Sequence, residues 1–348
     1  MTKLPAALEA IAAEPPALDV DRVAAATETQ FGITGRYSPL VSERDQNFRL
    51  ETADGRRFVV KVVGLAESAD ATALQVGALE HLASLRQPLA PSVVRTLDGS
   101  PLGSIEADGA SHALRVVTYL EGEPLAARPM DGALAARFGS RLAALDAALA
   151  GFDYRGPNPV LLWDLQRAAE LAGLLDYIDE AAVRDSVAAA VGDFATRALP
   201  ALRTLDRQVI HGDPNPENAI LTGERDDIRG FIDFGDAVRA PRIVDVAIGA
   251  AYLRNEAGDP LLHIAAFVAG YAREQPLSGV ELDLLFDLVR ARAATTVTLL
   301  YWRLRARSAG DPYRRKLLTQ EAGAARFLVA LGQCGPEAFR QRLVAGSA

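Results

Sequence analysis

His211-Gly212-Asp213-Pro214-Asn215-Pro216-Glu217-Asn218, followed by Ile232-Asp233-Phe234-Gly235-Asp236, is the stretch that decides how this chain folds. Two short apolar runs, Gln208-Val209-Ile210 and Gly230-Phe231-Ile232, bracket the polar residues, which places them on loops at strand ends. Phosphoryl transfer from a nucleotide asks for such a set: a carboxylate at an acceptor hydroxyl and hard oxygen ligands for Mg²⁺, all held rigidly together. Asp213, Asn218 and Asp233 supply it. Asp213 and Asn218 are five apart, so one loop aims the first at an acceptor and turns back to present the second to a metal. Asp233, just after a short strand, meets that metal from the opposite side.

Upstream of this stretch the chain reads as strands. Gln46-Asn47-Phe48-Arg49-Leu50 leads through the turn-forming Thr52-Ala53-Asp54-Gly55 into the β-branched run Arg57-Phe58-Val59-Val60-Lys61-Val62-Val63, a hairpin. Residues 71–85 set Leu74, Ala78, Leu82 and Leu85 at helical spacing, and Pro88 and Pro91 stop the pattern. Three more short strands fall at 92–97, 102–105 and 113–120, which makes five antiparallel strands and one helix. After Glu121-Gly122-Glu123-Pro124 the segments 133–150, 161–175 and 181–199 turn Ala/Leu-rich and amphipathic, and the chain is helical again from 244 to about 331. The composition shift near 118–123 marks a boundary between a small sheet lobe and a larger helical lobe.

Composition narrows the function. With 37 Lys plus Arg against 45 Asp plus Glu the net charge is −8, which argues against a nucleic-acid or anionic-membrane partner, since either asks for a basic surface. A single cysteine, Cys334, allows no intrachain disulfide, and no Cys/His cluster has zinc spacing. Residues 1–13 hold one Lys and run into Glu14, Pro15 and Pro16, without an apolar signal core, and no stretch approaches about 18 apolar residues. A cytoplasmic protein is expected; oligomeric state is not legible.

The spacing of Asp213 and Asn218 occurs in the catalytic loop of eukaryotic-like kinases, and Asp233-Phe234-Gly235 matches the metal-binding tripeptide of that superfamily. With His-Gly-Asp in place of His-Arg-Asp, and Asn218 and the Ile232–Asp236 segment after it, the chain resembles the aminoglycoside phosphotransferase and choline kinase branch. Leu40-Val41-Ser42-Glu43-Arg44-Asp45-Gln46-Asn47-Phe48 is similar to the nucleotide-loop segment of hydroxylysine kinases, and the likeness continues through Trp163-Asp164-Leu165, the segment after Asp236 to Tyr252, and the C-terminal helices. The resemblance implies an α+β, bilobal protein-kinase-like fold: a nucleotide-binding sheet lobe over 1–117, a hinge at 118–122 and a helical lobe over 123–348 with catalytic and substrate sites.

It also implies roles. Lys61 lies in an apolar strand, where an unmet ammonium is costly, and the phosphates of ATP or GTP would meet it. The acidic partner usual on the following helix is missing: Gln75 holds that position, and Glu80 lies on another face. Residues 42–47 contain no glycine, so Ser42 and Asn47 either cover phosphates or cap their own turn. The backbone of Thr118, Tyr119 and Leu120 would bind a purine edge, without distinguishing ATP from GTP. Asp213 would be the catalytic carboxylate, with Asn218 and Asp233 on Mg²⁺.

Around this set, His211 is expected to orient the loop by hydrogen bonding. Asp236 is either a metal-shell or substrate-amine carboxylate or an N-cap for the next segment. Asp245, before Val246-Ala247-Ile248, reads as a buried brace for the loop. Trp163 and Asp164 either line an acceptor pocket or start a helix. Arg292, Tyr301 and Arg303 read as solvated or packing residues on a long helix. The expected activity is transfer of a γ-phosphoryl group to a hydroxyl of a small, amine-bearing acceptor such as hydroxylysine, homoserine, ethanolamine, choline or an aminoglycoside. A catalytically silent nucleotide-binding regulator is the alternative, and a protein-directed kinase is disfavoured by the short segment after Asp236.

Overall fold

The computed structural model describes residues 15–85, 89–107, 109–223, 227–255, 258–306 and 322–345. The readings for residues 1–13, Pro88 and the helical stretch across 307–321 lie outside them. The chain divides into two compact units: Met1–Glu121 with Tyr154–Val160, and Gly122–Asp153 with Leu161–Ala348.

The first unit opens with α1 (Val20–Phe31), capped by Asp19, whose side chain accepts from Asp21 N, and closed by Gly32 in the left-handed region. Strands β1 (Arg36–Leu40), β2 (Gln46–Glu51), β3 (Arg57–Val62), β4 (Val93–Val94), β5 (Gly103–Ala107) and β6 (Ala110–Thr118) form one antiparallel sheet, with α2 (Ala69–Ser84) between β3 and β4 in the chain. Its order is β1-β2-β3-β6-β4, and β5 also pairs with β6. The sheet thus has six strands rather than five, and α1 is a helix the periodicity did not reveal. β1 carries Pro39, which removes a donor and suits only an edge, where β1 lies. The strand expected at 92–97 shrinks to two residues because Thr96 and Leu97 turn away: Thr96 bonds Ser100 and Leu97 bonds Gln30. Alternation along β3 and β6 sends Val60, Val62, Leu114 and Val116 to a core shared with Phe48, Leu50 and Phe58 and with Val23 and Phe31 of α1. Lys61 and Arg115 occupy the alternate positions.

In the second unit, α3 (Gly132–Ala150) follows β7 (Glu123–Pro124), and Leu165–Tyr177 forms 3₁₀ turns rather than an α-helix. α4 (Ala181–Asp193) runs through a π turn at Phe194–Ala198 into α5 (Leu199–Leu202). Then come β8 (Gln208–Ile210), β9 (Ala219–Thr222), β10 (Asp227–Phe231) and β11 (Val238–Ala240). The unit ends with α6 (Ile243–Ala251), α7 (Leu262–Glu274), α8 (Gly279–Ala306) and α9 (Ala322–Ala345). β10, β9 and β7 pair in one ribbon, β11 and β8 in another. α3 meets α7 backbone to backbone: a Cβ on Gly139 would lie 1.9 Å from Phe267 O, and one on Gly270 would lie 2.0 Å from Ala136 O. That close crossing carries the buried Phe138 and Phe267 rings, 5.0 Å apart. Among the described residues no helix is long and apolar enough to cross a membrane.

Candidate active site

β8 and β11 set the start of the loop, with Ile210 opposite Val238. His211 is wholly buried, accepts from Asp213 N through Nδ1 (3.2 Å), and its Nε2 lies 2.9 Å from Ile232 O. These partners fix a neutral ring protonated on Nε2, and burial lowers the imidazole pKa against the pull of Asp245. Phe234 covers the ring, with centroids 4.6 Å apart. Gly212 has φ +82°, and a Cβ there would fall 1.9 Å from Asp236 O. Glycine stands at this position because the 212 and 236 backbones nearly touch.

Asp245, in the first turn of α6, grips the loop from behind: its two oxygens accept from His211 N (2.8 Å) and Gly212 N (2.9 Å). Burial pushes its carboxyl up to about 6, although the two N–H bonds it accepts oppose the rise. Deeper still, Asp146 of α3 is raised well above the carboxylate range by burial and then by the charge of Asp245, and its Oδ2 accepts from Tyr271 OH at 2.7 Å.

Asp213 is held on every side. Oδ2 accepts from Asn215 Nδ2 (2.7 Å) and Asn218 Nδ2 (3.0 Å), while Oδ1 accepts from Arg292 Nη2 at 2.7 Å. Desolvation raises its carboxyl to about 6; Arg292 pulls it down, and the charges of Asp236 and Asp233 push it up. It therefore stays mostly ionised at neutral pH in a fixed orientation.

Asn218 also donates to Asp213 O (3.0 Å), and its own carbonyl accepts from Ile232 N (2.8 Å), so the loop is stitched to the strand that delivers Asp233. With Nδ2 committed to Asp213, the Asn218 side chain has its oxygen left for a cation. Asp233 is exposed and has φ +61°, the one positive-φ residue other than glycine among those described. Such a conformation costs of order 1 kcal/mol and is held where a site needs it. Asp236 acts on Asp213, His211 and Arg292 through its charge. It caps no helix, because β11 follows it and α6 begins only at Ile243. Among the described residues no three His, Cys, Asp or Glu side chains gather as a metal-ligand group. One carboxylate and one amide oxygen fit Mg²⁺, which takes few protein ligands when phosphates and water complete its shell.

Arg292, read from the sequence as solvated or packing, is 2% exposed and bonds the Asp213 carboxylate. Its guanidinium also donates to Trp163 O (3.2 Å) and Tyr252 OH (3.2 Å), and it stacks 4.7 Å from the Trp163 ring centroid. Arg303, also 2% exposed, lies 5.2 Å from that ring, so Trp163 is flanked by two buried guanidiniums. Tyr301 OH reaches Glu180 at 3.5 Å. Asp164 is the cap of the 3₁₀ segment, accepting from Gln166 N at 3.0 Å, and burial raises its carboxyl. The only sequence hint of Arg292 was a charge amid Ala, Val, Thr and Leu.

In the first unit, Lys61 is paired neither with Gln75 nor with Glu80. Its Nζ lies 3.3 Å from Asp45 Oδ2, and Asp45 Oδ1 accepts from Gly64 N. Glu80 pairs with Arg95, and Gln75, 2% exposed, has no partner for Nε2. Ser42 Oγ accepts from Asp45 N and so caps its own turn, while Asn47 Oδ1 is buried without a partner. The N–H groups of Thr118 and Tyr119 bond Ser92 O and Arg57 O, which leaves their carbonyls and Leu120 for any purine edge.

A sheet unit with a buried strand lysine and a helical unit with this aspartate loop define a kinase-like phosphotransferase. The chain belongs to the phosphotransferase enzyme family, whose model it matches over residues 36–277. Hydroxylysine kinase of Mus musculus is 26% identical over 305 residues, 80% of this chain and 80% of that protein. Homoserine kinase of Brucella abortus (strain S19) is 29% identical over 266 residues, covering 74% and 76%. The solved structure of amicoumacin kinase hAmiN in complex with AMP-PNP, Ca2+ and Ami aligns with TM-score 0.70 at 16% identity, over 93% of this chain and 97% of that one. The chain is thus a small-molecule kinase with an alcohol group as acceptor.

Proposed function

We propose that the enzyme transfers the γ-phosphoryl group of ATP or GTP, with Mg²⁺, to the hydroxyl of a small amine-bearing acceptor, an amino alcohol or hydroxy amino acid of the hydroxylysine and homoserine kind. The observation that carries this is the Asp213 carboxylate clamped by Arg292, Asn215 and Asn218, with Asp233 held next to the same loop. Asp213 orients the acceptor hydroxyl and takes its proton. A carboxylate near 6 suffices, because phosphoryl transfer has a loose transition state and positioning supplies most of the acceleration. Asn218 and Asp233 would hold the metal, which when bound neutralises charge on the transferring phosphates, and Lys61 answers the donor's phosphates from its strand. Ser42, Asn47 and the 118–120 backbone would contribute to donor binding; Asp236 and Trp163 would face the acceptor. A cytoplasmic location suits such a donor.

The choice of acceptor rests on the kinases to which the chain is similar, a hydroxylysine kinase and a homoserine kinase among them. The test is a screen of hydroxylysine, homoserine, ethanolamine, choline and an aminoglycoside with ATP and with GTP, corrected for nucleotide hydrolysis. Turnover on one amine-bearing acceptor that falls by several orders of magnitude in Asp213→Asn supports the assignment; near-wild-type turnover in that variant rejects it. Nucleotide-dependent stabilisation with no acceptor turned over would favour the silent regulator.

A further inference from the structure

The register of the first unit places three polar side chains in one row: Asn47 opposite Lys61 across β2 and β3, and Lys61 opposite Arg115 across β3 and β6. Directly opposed residues share a face, with Cβ atoms about 5 Å apart. Two cations therefore stand side by side on the face opposite the Val60, Val62, Leu114 and Val116 core. Asp45 answers Lys61. Arg115 is 2% exposed, its Nε and Nη1 have no hydrogen-bond partner, and no carboxylate among the described residues pairs with it. Its Nε and Nη1 are closed off from solvent, and like charges directly opposed repel. An uncompensated interior cation is among the most costly arrangements a fold can hold. Nor does α2 relieve it: the buried side chain it offers at 75 is an amide whose Nε2 is also unpartnered. The row thus collects donors and positive charge, and at its Arg115 end no carboxylate among the described residues answers it.

We propose that Arg115 is a second cation for the phosphates of the donor nucleotide, acting with Lys61 from the same row of the sheet. The inference rests on the donor-binding role proposed for Lys61 and adds a residue that neither the family resemblance nor the catalytic loop points to. Asn47 completes the row, because its amide presents NH₂ to an anion after a half-turn about its terminal torsion.

The proposal makes a demand that a structural role does not. An arginine that holds the fold together lowers the melting temperature when removed, whereas one stored without a counter-ion raises it. Arg115→Met, Arg115→Lys and Lys61→Met are compared with wild type by thermal unfolding without ligand and by calorimetric titration with MgATP and MgGTP. Arg115→Met is expected to melt at or above the wild-type temperature without nucleotide and to bind the nucleotide about tenfold more weakly, the effect of one lost charge contact. Arg115→Lys is expected to recover most of the affinity. Wild-type affinity in Arg115→Met, with weakened binding in Lys61→Met, overturns the proposal and leaves the donor site standing. Wild-type affinity in both variants overturns the donor site as well. Should Arg115→Met not fold, the proposal fails on its stability sign, and Arg115→Lys still reports on affinity.

Discussion

Arg292→Met removes a guanidinium that is 2% exposed and 2.7 Å from Asp213 Oδ1. Two unit charges with centres about 4 Å apart interact by ~4 kcal/mol at an effective dielectric of about 20. The Asp213 side chain keeps 19% exposure, and its Oδ2 still accepts from Asn215 and Asn218, so solvent and hydrogen bonds offset part of the loss. A net destabilisation of about 2–3 kcal/mol follows, toward the lower edge of what breaking a buried pair costs. Asp213→Asn should cost a similar amount for the opposite reason, since it strands Arg292 between Trp163 and Tyr252 without its counter-ion. The double variant has no stranded charge and should lose clearly less than the sum, with a coupling of about 2 kcal/mol. The four proteins are compared by urea unfolding, following the transition of the second unit. At ~2–4 °C per kcal/mol for a unit of this size, each single variant also melts roughly 4–12 °C lower. Additivity within ~0.5 kcal/mol would show that the two side chains are mere neighbours and refute the reasoning. Activity separates them further: Asp213→Asn abolishes turnover, while Arg292→Met, which keeps the carboxylate, retains a measurable kcat.

Three other outcomes follow from the same geometry. Gly212→Ala must place a Cβ 1.9 Å from Asp236 O at φ +82°, so it costs more than the ~1–2 kcal/mol of a left-handed residue and displaces the loop; loss of turnover with a retained circular dichroism spectrum is the expected result. Asp146 has a carboxyl raised above its unfolded value, so the stability it contributes is present at low pH and is lost as pH rises through its folded pKa; Asp146→Asn removes that dependence, and the melting-temperature difference, variant minus wild type, should grow from pH 5 to pH 8. A flat difference would place an ionised Asp146 in the core. Asp233→Asn should leave the melting temperature unchanged, because the side chain is exposed, yet raise the Mg²⁺ needed for half-maximal rate by at least the ~10–100-fold that outer partners of metal ligands are worth.

Local patterns carried most of the fold into view. The turn at 52–55, the apolar alternation of 57–63 and the helical spacing of 71–85 are short-range signals, and each element stands where they put it. β1 escaped notice because Pro39 reads as a breaker, and only the finished sheet shows it to be an edge. α1 carried the right punctuation, Asp19 before it and Gly32 after it, but its apolar face is thin: of its residues only Val23, Thr27 and Phe31 are buried. The site divides the same way. Asp213 and Asn218 are neighbours in sequence and in space, whereas Asp45 lies 16 residues from Lys61, and Arg292 lies 79 from Asp213. No periodicity connects such pairs. Pairing of β2 with β3 creates the first, and the passage of α8 beneath the loop creates the second.

A net charge of −8 would suit an ammonium-bearing acceptor, yet the group bonded to Asp213, the carboxylate proposed to meet that acceptor, is an arginine, and Lys61, proposed to meet the donor, is bonded to an aspartate. There is no conflict, because exposed charges more than about 10 Å away are screened while a buried neighbour at hydrogen-bond distance is not. What the proposed catalysis gains is that the charges of Asp213 and Lys61 are each neutralised in place by a partner that also fixes its direction. Asp213 cannot swing toward solvent without breaking three hydrogen bonds, so its dipole is already aligned when an acceptor arrives and no reorganisation is left for the moment of transfer. Arg115 departs from this pattern: no carboxylate among the described residues pairs with it and its Nε and Nη1 find no partner, the arrangement expected where an anion is to be bound.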